Sequence, residues 1–233
     1  MEIHALRMPA FVEPDRFARL LKAVSPERRD RVLRFRHGED ALRCLFGDLL
    51  VRHVLTQTTG ARNRDLVFSR DGGGKPVCLI PGAPHYNLSH SGCWVLAAFD
   101  DLPVGVDVER IKPVDPGVVM LTLSHAELEM MESLPENERR AYFYDIWVLK
   151  ESRLKASGSG LTDSLASYSV SPTGEPFRFR INDGGDADGY YLSLLPGFDP
   201  AYRAAVCFGR EGAVPIVTDH DPKELADFFL LDP

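Results

Sequence analysis

Trp147-Val-Leu-Lys150-Glu151-Ser-Arg-Leu-Lys155 is the stretch on which the reading of this chain turns. As a helix it sets Trp147, Glu151 and Lys155 at i, i+4 and i+8, each turned from the last by only about 40°. A single Glu–Lys pair at that spacing is ordinarily a surface ion pair that stabilises its helix by a few tenths of a kcal/mol. Upstream lies Val104-Gly-Val-Asp107-Val-Glu109, which alternates as a strand does. Its valines share one face, and Gly105, Asp107 and Glu109 share the other. Asp107 and Glu109 alone read as a solvated acidic edge. Three carboxylates and a lysine on two rigid elements point instead to a divalent cation and a phosphorylated ligand, because Mg²⁺ takes oxygen donors and completes its shell with water and phosphate.

Composition narrows the classes. The 233 residues suffice for one large domain or two small ones with a shared core. An apolar content of 44% is that of a globular protein. A net charge of −7 argues against a nucleic-acid binder. Cys44, Cys78, Cys93 and Cys207 form no CxxC pair, which disfavours zinc and a disulfide framework. The N-terminal residues lack the basic start and apolar run of a signal peptide. No run reaches the roughly 18 apolar residues of a membrane span. A cytoplasmic setting is the expectation.

Around these motifs the pattern alternates helices and short strands. Ser25-Pro26-Glu27 opens a helix rich in arginine. A second helix is expected over 39–55, from Leu42, Leu45, Phe46, Leu49, Leu50 and Val54 at a 3.6 period. Residues 70–84, around Gly72-Gly73-Gly74-Lys75-Pro76, read as a loop without P-loop spacing. Tyr86-Asn-Leu-Ser89-His90-Ser91 reads as a loop of hydrogen-bond donors; without a GxSxG elbow it is not a hydrolase nucleophile. Residues 93–99 form a buried strand, which a turn at 100–103 would join to 104–109 in a hairpin. Ser124-His-Ala-Glu127 is a capping box. A helix follows from about 137 to 155, stopped by Gly158 and Gly160. Strands are expected at 168–170, 177–181, 190–194 and 204–208, with a turn at 182–189 and a terminal helix from Pro222. Arg28 and Arg31, at i and i+3, share a helix face that is a solvated basic face or a phosphate clamp. Trp147 and Lys150 are expected near the same face as Glu151 and Lys155, and Trp147 reads as packing that fixes its helix.

Taken together, His85-Tyr-Asn-Leu-Ser-His-Ser91, Val104-Gly-Val-Asp-Val-Glu109 and Trp147–Lys155, preceded by Gly-Lys-Pro, resemble the 4′-phosphopantetheinyl transferases. The likeness is to the surfactin-synthetase-activating (Sfp-type) group and runs from the Ser25 helix to about Phe208. It implies an α+β fold: two similar α/β halves in a pseudo-twofold monomer, each a small, mainly antiparallel sheet with packed helices. The division expected is 1–103, with the coenzyme A nucleotide contacts, and 104–233, with the metal-binding acids, the catalytic helix and the tail.

The activity implied is Mg²⁺-dependent (or Mn²⁺-dependent) transfer of the phosphopantetheine arm of coenzyme A to a serine of an apo acyl or peptidyl carrier protein, as in peptide, polyketide and antibiotic synthesis. Carried over residue by residue, Asp107, Glu109 and Glu151 hold the metal. Lys155 meets a phosphate, and Glu151 is also a candidate base. Arg28, Arg31 and His90 bind the 3′-phosphate; Gly73, Gly74, Lys75, Pro76 and Ser89 line the nucleotide site. Arg28 and Arg31 stand where the family commonly has lysine, and Ser152 where alanine is frequent. Cys44 replaces a hydroxyl residue, which weakens any hydrogen bond there. The partners implied are coenzyme A and carrier proteins, with neither nucleic acid nor membrane. Two other classes use the same residues: a metal-dependent phosphodiesterase or pyrophosphate hydrolase, and a non-catalytic carrier-binding module. Residues 112–123, read as a partly apolar loop, are a candidate carrier-docking segment.

Overall fold

The central strands are buried on both faces, and successive side chains enter opposite apolar clusters, which sorts the chain into layers. The computed structural model describes residues 1–158, 164–182 and 189–231. In chain order the strands are β1 (Glu2–Arg7), β2 (Phe68–Arg70), β3 (Pro76–Cys78), β4 (His85–Ser91), β5 (Trp94–Asp100), β6 (Val104–Arg110), β7 (Ser169–Pro172), β8 (Arg178–Asn182), β9 (Tyr191–Leu194), β10 (Tyr202–Phe208) and β11 (Ile216–His220). The α-helices are α1 (Pro14–Leu20), α2 (Pro26–Leu33), α3 (Gly38–Thr59), α4 (Pro116–Thr122), α5 (His125–Ser133), α6 (Glu136–Ser157) and α7 (Pro222–Leu231). One sheet has the order β11-β1-β5-β4 and a second β6-β10-β9-β8-β7; β2 and β3 make a small hairpin. Apart from β1 with β11, the pairings are antiparallel.

The two sheets bury their inner faces in one apolar cluster. Ile3, Ala5, Leu96 and Ala98 come from the first sheet, and Val104, Val106, Val108, Ala204, Val206 and Phe208 from the second. Each buried valine stabilises this layer by about 1.5–3 kcal/mol. The opposite faces are covered by α3 and α7 on the first sheet and by α6 on the second. The result is an α+β fold in four layers.

Several sequence expectations are refined. Residues 93–99 and 104–109 do form strands, but they are not a hairpin: β5 pairs with β1 and β4, whereas β6 pairs with β10. The turn at 100–103 is thus a crossover between sheets. The donor segment read as a loop is strand β4, in full register with β5. The glycine-rich loop is the turn of the β2–β3 hairpin, and 116–122 within the proposed docking loop is helix α4. Strand β11 and helix α7 return to the first layer, so the tail beyond 216 packs with the N-terminal sheet. The Ser25 cap and the Ser124–Glu127 capping box form as read. Gly160 and residues 183–188 of the expected turn lie outside the described residues.

Gly105 sets the distance between α6 and β6. A Cβ there would lie 2.0 Å from the Ser152 carbonyl oxygen and 2.4 Å from the Ala156 nitrogen. Both are backbone atoms, so neither can rotate away. Gly105→Ala is expected to lower stability by at least about 3 kcal/mol, at the upper end of overpacking costs, read as a fall in the denaturant midpoint. Gly38→Ala, with open space at its Cβ, serves as the tolerant control.

Three histidines fasten the returning tail. His4 Nδ1 and His220 Nε2 are 2.8 Å apart, and His53 stands edge-on to His220 and to Phe228 of α7. Burial pushes all three pKa values down, His220 to about 4, helped by the charges on its histidine neighbours and opposed by Asp219. Folding keeps these rings neutral, so their contribution is present above the ordinary value of 6.5 and is lost as pH falls toward 4. Between those limits the wild type should lose about 1–2 kcal/mol more stability than His220→Asn, after allowance for solvent screening. Urea midpoints measured across that range check it.

Candidate active site

The site is built where the edge strands of the two sheets meet. β6 and β4 are both terminal strands, and their backbones do not pair. Alternate side chains of β4 cap the open edge of β6 instead. Val106 N donates to Asn87 Oδ1 at 3.0 Å, Val108 N to Ser89 Oγ at 3.3 Å, and Arg110 N to Ser91 Oγ at 3.1 Å. The same serines donate onward to the acids: Ser89 Oγ to Asp107 Oδ1 at 2.8 Å and Ser91 Oγ to Glu109 Oε2 at 2.7 Å. Asn87, Ser89 and Ser91 share one face of β4 by period two, while Tyr86 and Leu88 on the other face pack toward α3.

The acids face α6. Asp107 is only 3% exposed, which removes the reading as a solvated edge. Lys155 Nζ donates to Asp107 Oδ1 at 2.6 Å and to Ser89 Oγ at 2.9 Å. The lysine therefore crosses from α6 to β6 rather than serving only as a helical neighbour of Glu151. Asp107 Oδ2 is buried without a hydrogen-bond partner, a loss of about 1–3 kcal/mol for a buried acceptor. Burial raises the pKa of Glu109, with Asp107 adding to it and Ser91 and Lys155 opposing. Burial raises that of Glu151 too, with Asp107 and Glu109 adding and Lys155 opposing. The three carboxylates thus share one electrostatic neighbourhood. The donor set is all oxygen and carries one unpaired buried acceptor, which suits a hard divalent cation. Among the described residues no three His, Cys, Asp or Glu side chains form a ready-made cage, so such an ion would rely on water and substrate oxygens as well.

A cleft of about 270 Å³ opens beside these groups, lined by Gly73, Gly74, Lys75, Pro76, Asn87, Glu151, Leu154, Lys155 and Gly158. The β2–β3 turn reaches it because Gly73 lies against the end of α6: a Cβ would sit 2.5 Å from the Gly158 carbonyl oxygen. Lys75 turns its ammonium to Val104 O at 2.7 Å and to Ala156 O at 3.4 Å. It ties the turn to the second layer, and burial lowers its pKa. Arg28 pairs with Asp48, Nε to Oδ1 at 2.8 Å, beside Cys44 Sγ at 3.7 Å. Arg31 is exposed on α2. His90 has its pKa lowered by burial and by the charges of Arg43 and Lys155, against Asp40. Trp147 packs on Phe143, as expected, and also walls an apolar cleft of about 260 Å³ with Glu109, Val114, Val118 and Tyr144.

Family models match the chain in tandem: "4′-phosphopantetheinyl transferase, N-terminal" over residues 12–101, and "4′-phosphopantetheinyl transferase superfamily" over 103–207. The 4′-phosphopantetheinyl transferase ffp of Bacillus subtilis is 37% identical over 223 residues, covering 90% of this chain and 93% of its own. The chain belongs to the 4′-phosphopantetheinyl transferases. The enzyme Sfp of Bacillus subtilis (strain 168) is 35% identical over 216 residues, 89% of this chain and 92% of its own. The enzyme psf-1 of Bacillus pumilus is 34% identical over 197 residues, 82% and 81% respectively. This phosphopantetheinyl transferase is therefore a group-transfer enzyme whose family takes its arm from coenzyme A and passes it to carrier proteins. No described helix is long and apolar enough to cross a membrane.

One neighbour departs from the expectation that it lies near the face of Glu151 and Lys155. Lys150, beside Glu151 in the motif, is 0% exposed and points away from the cleft. Its Nζ lies within 2.6–2.9 Å of Glu127 Oε2 and of the carbonyl oxygens of Thr122, Leu165 and Tyr168. Glu127 is in turn the capping-box residue of α5 and accepts from Val170 N. This transferase therefore presents Glu151 from a helix locked on its far side by a buried ion pair. Removing one partner of such a pair strands the other, so Lys150→Met should lower unfolding free energy by about 3–5 kcal/mol. Lys150→Met combined with Glu127→Gln should recover part of it in the same denaturation assay.

Proposed function

We propose that this enzyme transfers the phosphopantetheine arm of coenzyme A to a serine of an apo acyl or peptidyl carrier protein, in a Mg²⁺-dependent reaction that Mn²⁺ also supports. The observation that carries this reading is the buried, unpartnered Asp107 Oδ2 beside Glu109, Glu151 and the Lys155 cleft. Asp107, Glu109 and Glu151 hold the metal ion. When bound, the ion neutralises charge on the pyrophosphate.

The chain's own residues do the rest. Lys155 places an ammonium where charge builds on the bridging oxygen. Glu151, whose pKa is raised by burial and its acidic neighbours, accepts the proton of the carrier serine. The serine oxygen bonds to the phosphorus of the pantetheine phosphate. The bond from that phosphorus to the bridging oxygen breaks, and 3′,5′-ADP leaves with the electron pair. Gly73, Gly74, Pro76 and Ser89 shape the nucleotide site, with Lys75 fixing their turn. Arg28, Arg31 and His90 meet the 3′-phosphate, with Cys44 against Arg28.

Residues 1–103 act as the nucleotide half and 104–233 as the metal and catalytic half of a pseudo-twofold monomer, with the tail crossing back. The apolar cleft at Val114, Val118 and Trp147 makes 112–123 the docking segment for the carrier. The setting is the cytoplasm, with carriers of peptide or polyketide synthesis as acceptors.

Asp107→Ala and Glu151→Gln should each lower transfer by about 100-fold or more, read as mass gain on an apo carrier incubated with coenzyme A and Mg²⁺. Turnover within tenfold of wild type in either variant, with an unchanged circular dichroism spectrum, overturns these roles. Mass lost from a holo carrier in the same assay identifies the hydrolase instead.

A further inference from the structure

One buried carboxylate belongs to no motif. Cys44, Asp48 and Arg52 follow one another at i, i+4 and i+8 along α3 and form a single stripe. Asp48 is 9% exposed and Arg52 only 4%. Asp48 Oδ2 accepts from Arg52 Nε at 2.6 Å, and Oδ1 pairs with Arg28 Nε at 2.8 Å. Arg52 is itself fixed: it donates to Asn63 Oδ1 at 3.1 Å, and its guanidinium lies 4.9 Å from the Phe68 ring centroid. Asn63 is held in turn by Ala23 O. A rigid chain of contacts therefore runs from the core of α3 to one nitrogen of a half-exposed arginine on α2.

Which nitrogen it grips matters. The guanidinium is a planar fork with five N–H donors. Held by Nε, it is oriented while Nη1, beside Cys44 Sγ, and Nη2 stay free of the carboxylate. A lysine at this position would have one ammonium to divide between Asp48 and any anion. We propose that Asp48 is a positioning residue, which aims the Arg28 fork at the 3′-phosphate of coenzyme A and is itself locked by Arg52. This rests on the reading under which Arg28 meets that phosphate.

Two opposing effects make the idea testable by sign. If Asp48 were only a counter-charge, removing it would leave the site around Arg28 with more net positive charge and tighten anion binding. If it aims the fork, removing it loosens the bidentate contact. The experiment compares KM and kcat for coenzyme A and 3′-dephospho-coenzyme A in the wild type, Asp48→Asn, Arg28→Lys and Arg28→Ala. A thermal-shift titration with 3′,5′-ADP and 5′-AMP gives a readout independent of turnover.

Asp48→Asn should reduce the preference for the 3′-phosphorylated substrate about tenfold, through KM and with kcat little changed. Arg28→Lys, at a side chain still 27% exposed, should show a similar loss even if Asp48→Asn fails to fold. The double variant Arg28→Lys with Asp48→Asn should recover preference, because the ammonium is released from the carboxylate. An unchanged or increased preference in Asp48→Asn overturns the proposal, as does equal weakening of both substrates. So does full preference in Arg28→Lys. A wild type that transfers no arm to any apo carrier overturns the functional reading itself, and equal losses for both substrates in Arg28→Ala remove Arg28 from the 3′-phosphate.

Discussion

The open edge of β6 is closed by side chains, and the active site follows from that. A terminal strand leaves a row of N–H groups that must find acceptors or meet water. Here Asn87, Ser89 and Ser91 of β4 supply those acceptors at every second residue. A paired strand would have used carbonyls and left nothing over. A hydroxyl accepts from the backbone and still has a proton to give, so Ser89 and Ser91 pass their own hydrogen bonds to Asp107 and Glu109. The seam between the sheets is also the structure that orients the acids.

The constraint propagates through α6. Gly105 permits the helix backbone to come into contact with β6, which brings Lys155 within 2.6 Å of Asp107. On the far side, Lys150 and Glu127 anchor the same helix to α5 and to the strand at Val170. The two lysines of one short motif thus do opposite work. Lys150 is sealed in and fixes the helix, and Lys155 reaches the cleft. Carboxylates gathered under partial burial raise one another's proton affinity, as Glu109 and Glu151 show.

Much of the site was legible in the chain. The alternation of Val104–Glu109 separated valines from acids because strand geometry has period two, and the i, i+4 spacing put Glu151 and Lys155 on one helix face. The resemblance carried by three ordered motifs named the family, and tandem family models and long relatives support it. The β4 segment was misread because its polar residues suggested a loop; the alternation of Tyr86 and Leu88 with Asn87, Ser89 and Ser91 was the available signal. The hairpin expectation failed because a turn between two strands does not say whether they share a sheet. Asp48 and Arg52 do not stand out in the sequence, since a buried ion pair leaves no trace in hydrophobic periodicity.

The sequence by itself determined strands β5, β6 and β10, helices α2, α3, α5 and α6, and the identity of the chemistry-bearing residues, because these depend on neighbours within a few positions. Only the tertiary structure decided which strand edge meets which, that Lys155 pairs with Asp107, that Lys150 is a core anchor, and that Arg28 is gripped by Asp48. Those outcomes depend on contacts between residues far apart in the chain, such as Ser89 with Asp107 and Lys150 with Glu127. Their geometry is set when whole sheets and helices pack, and no local spacing encodes it.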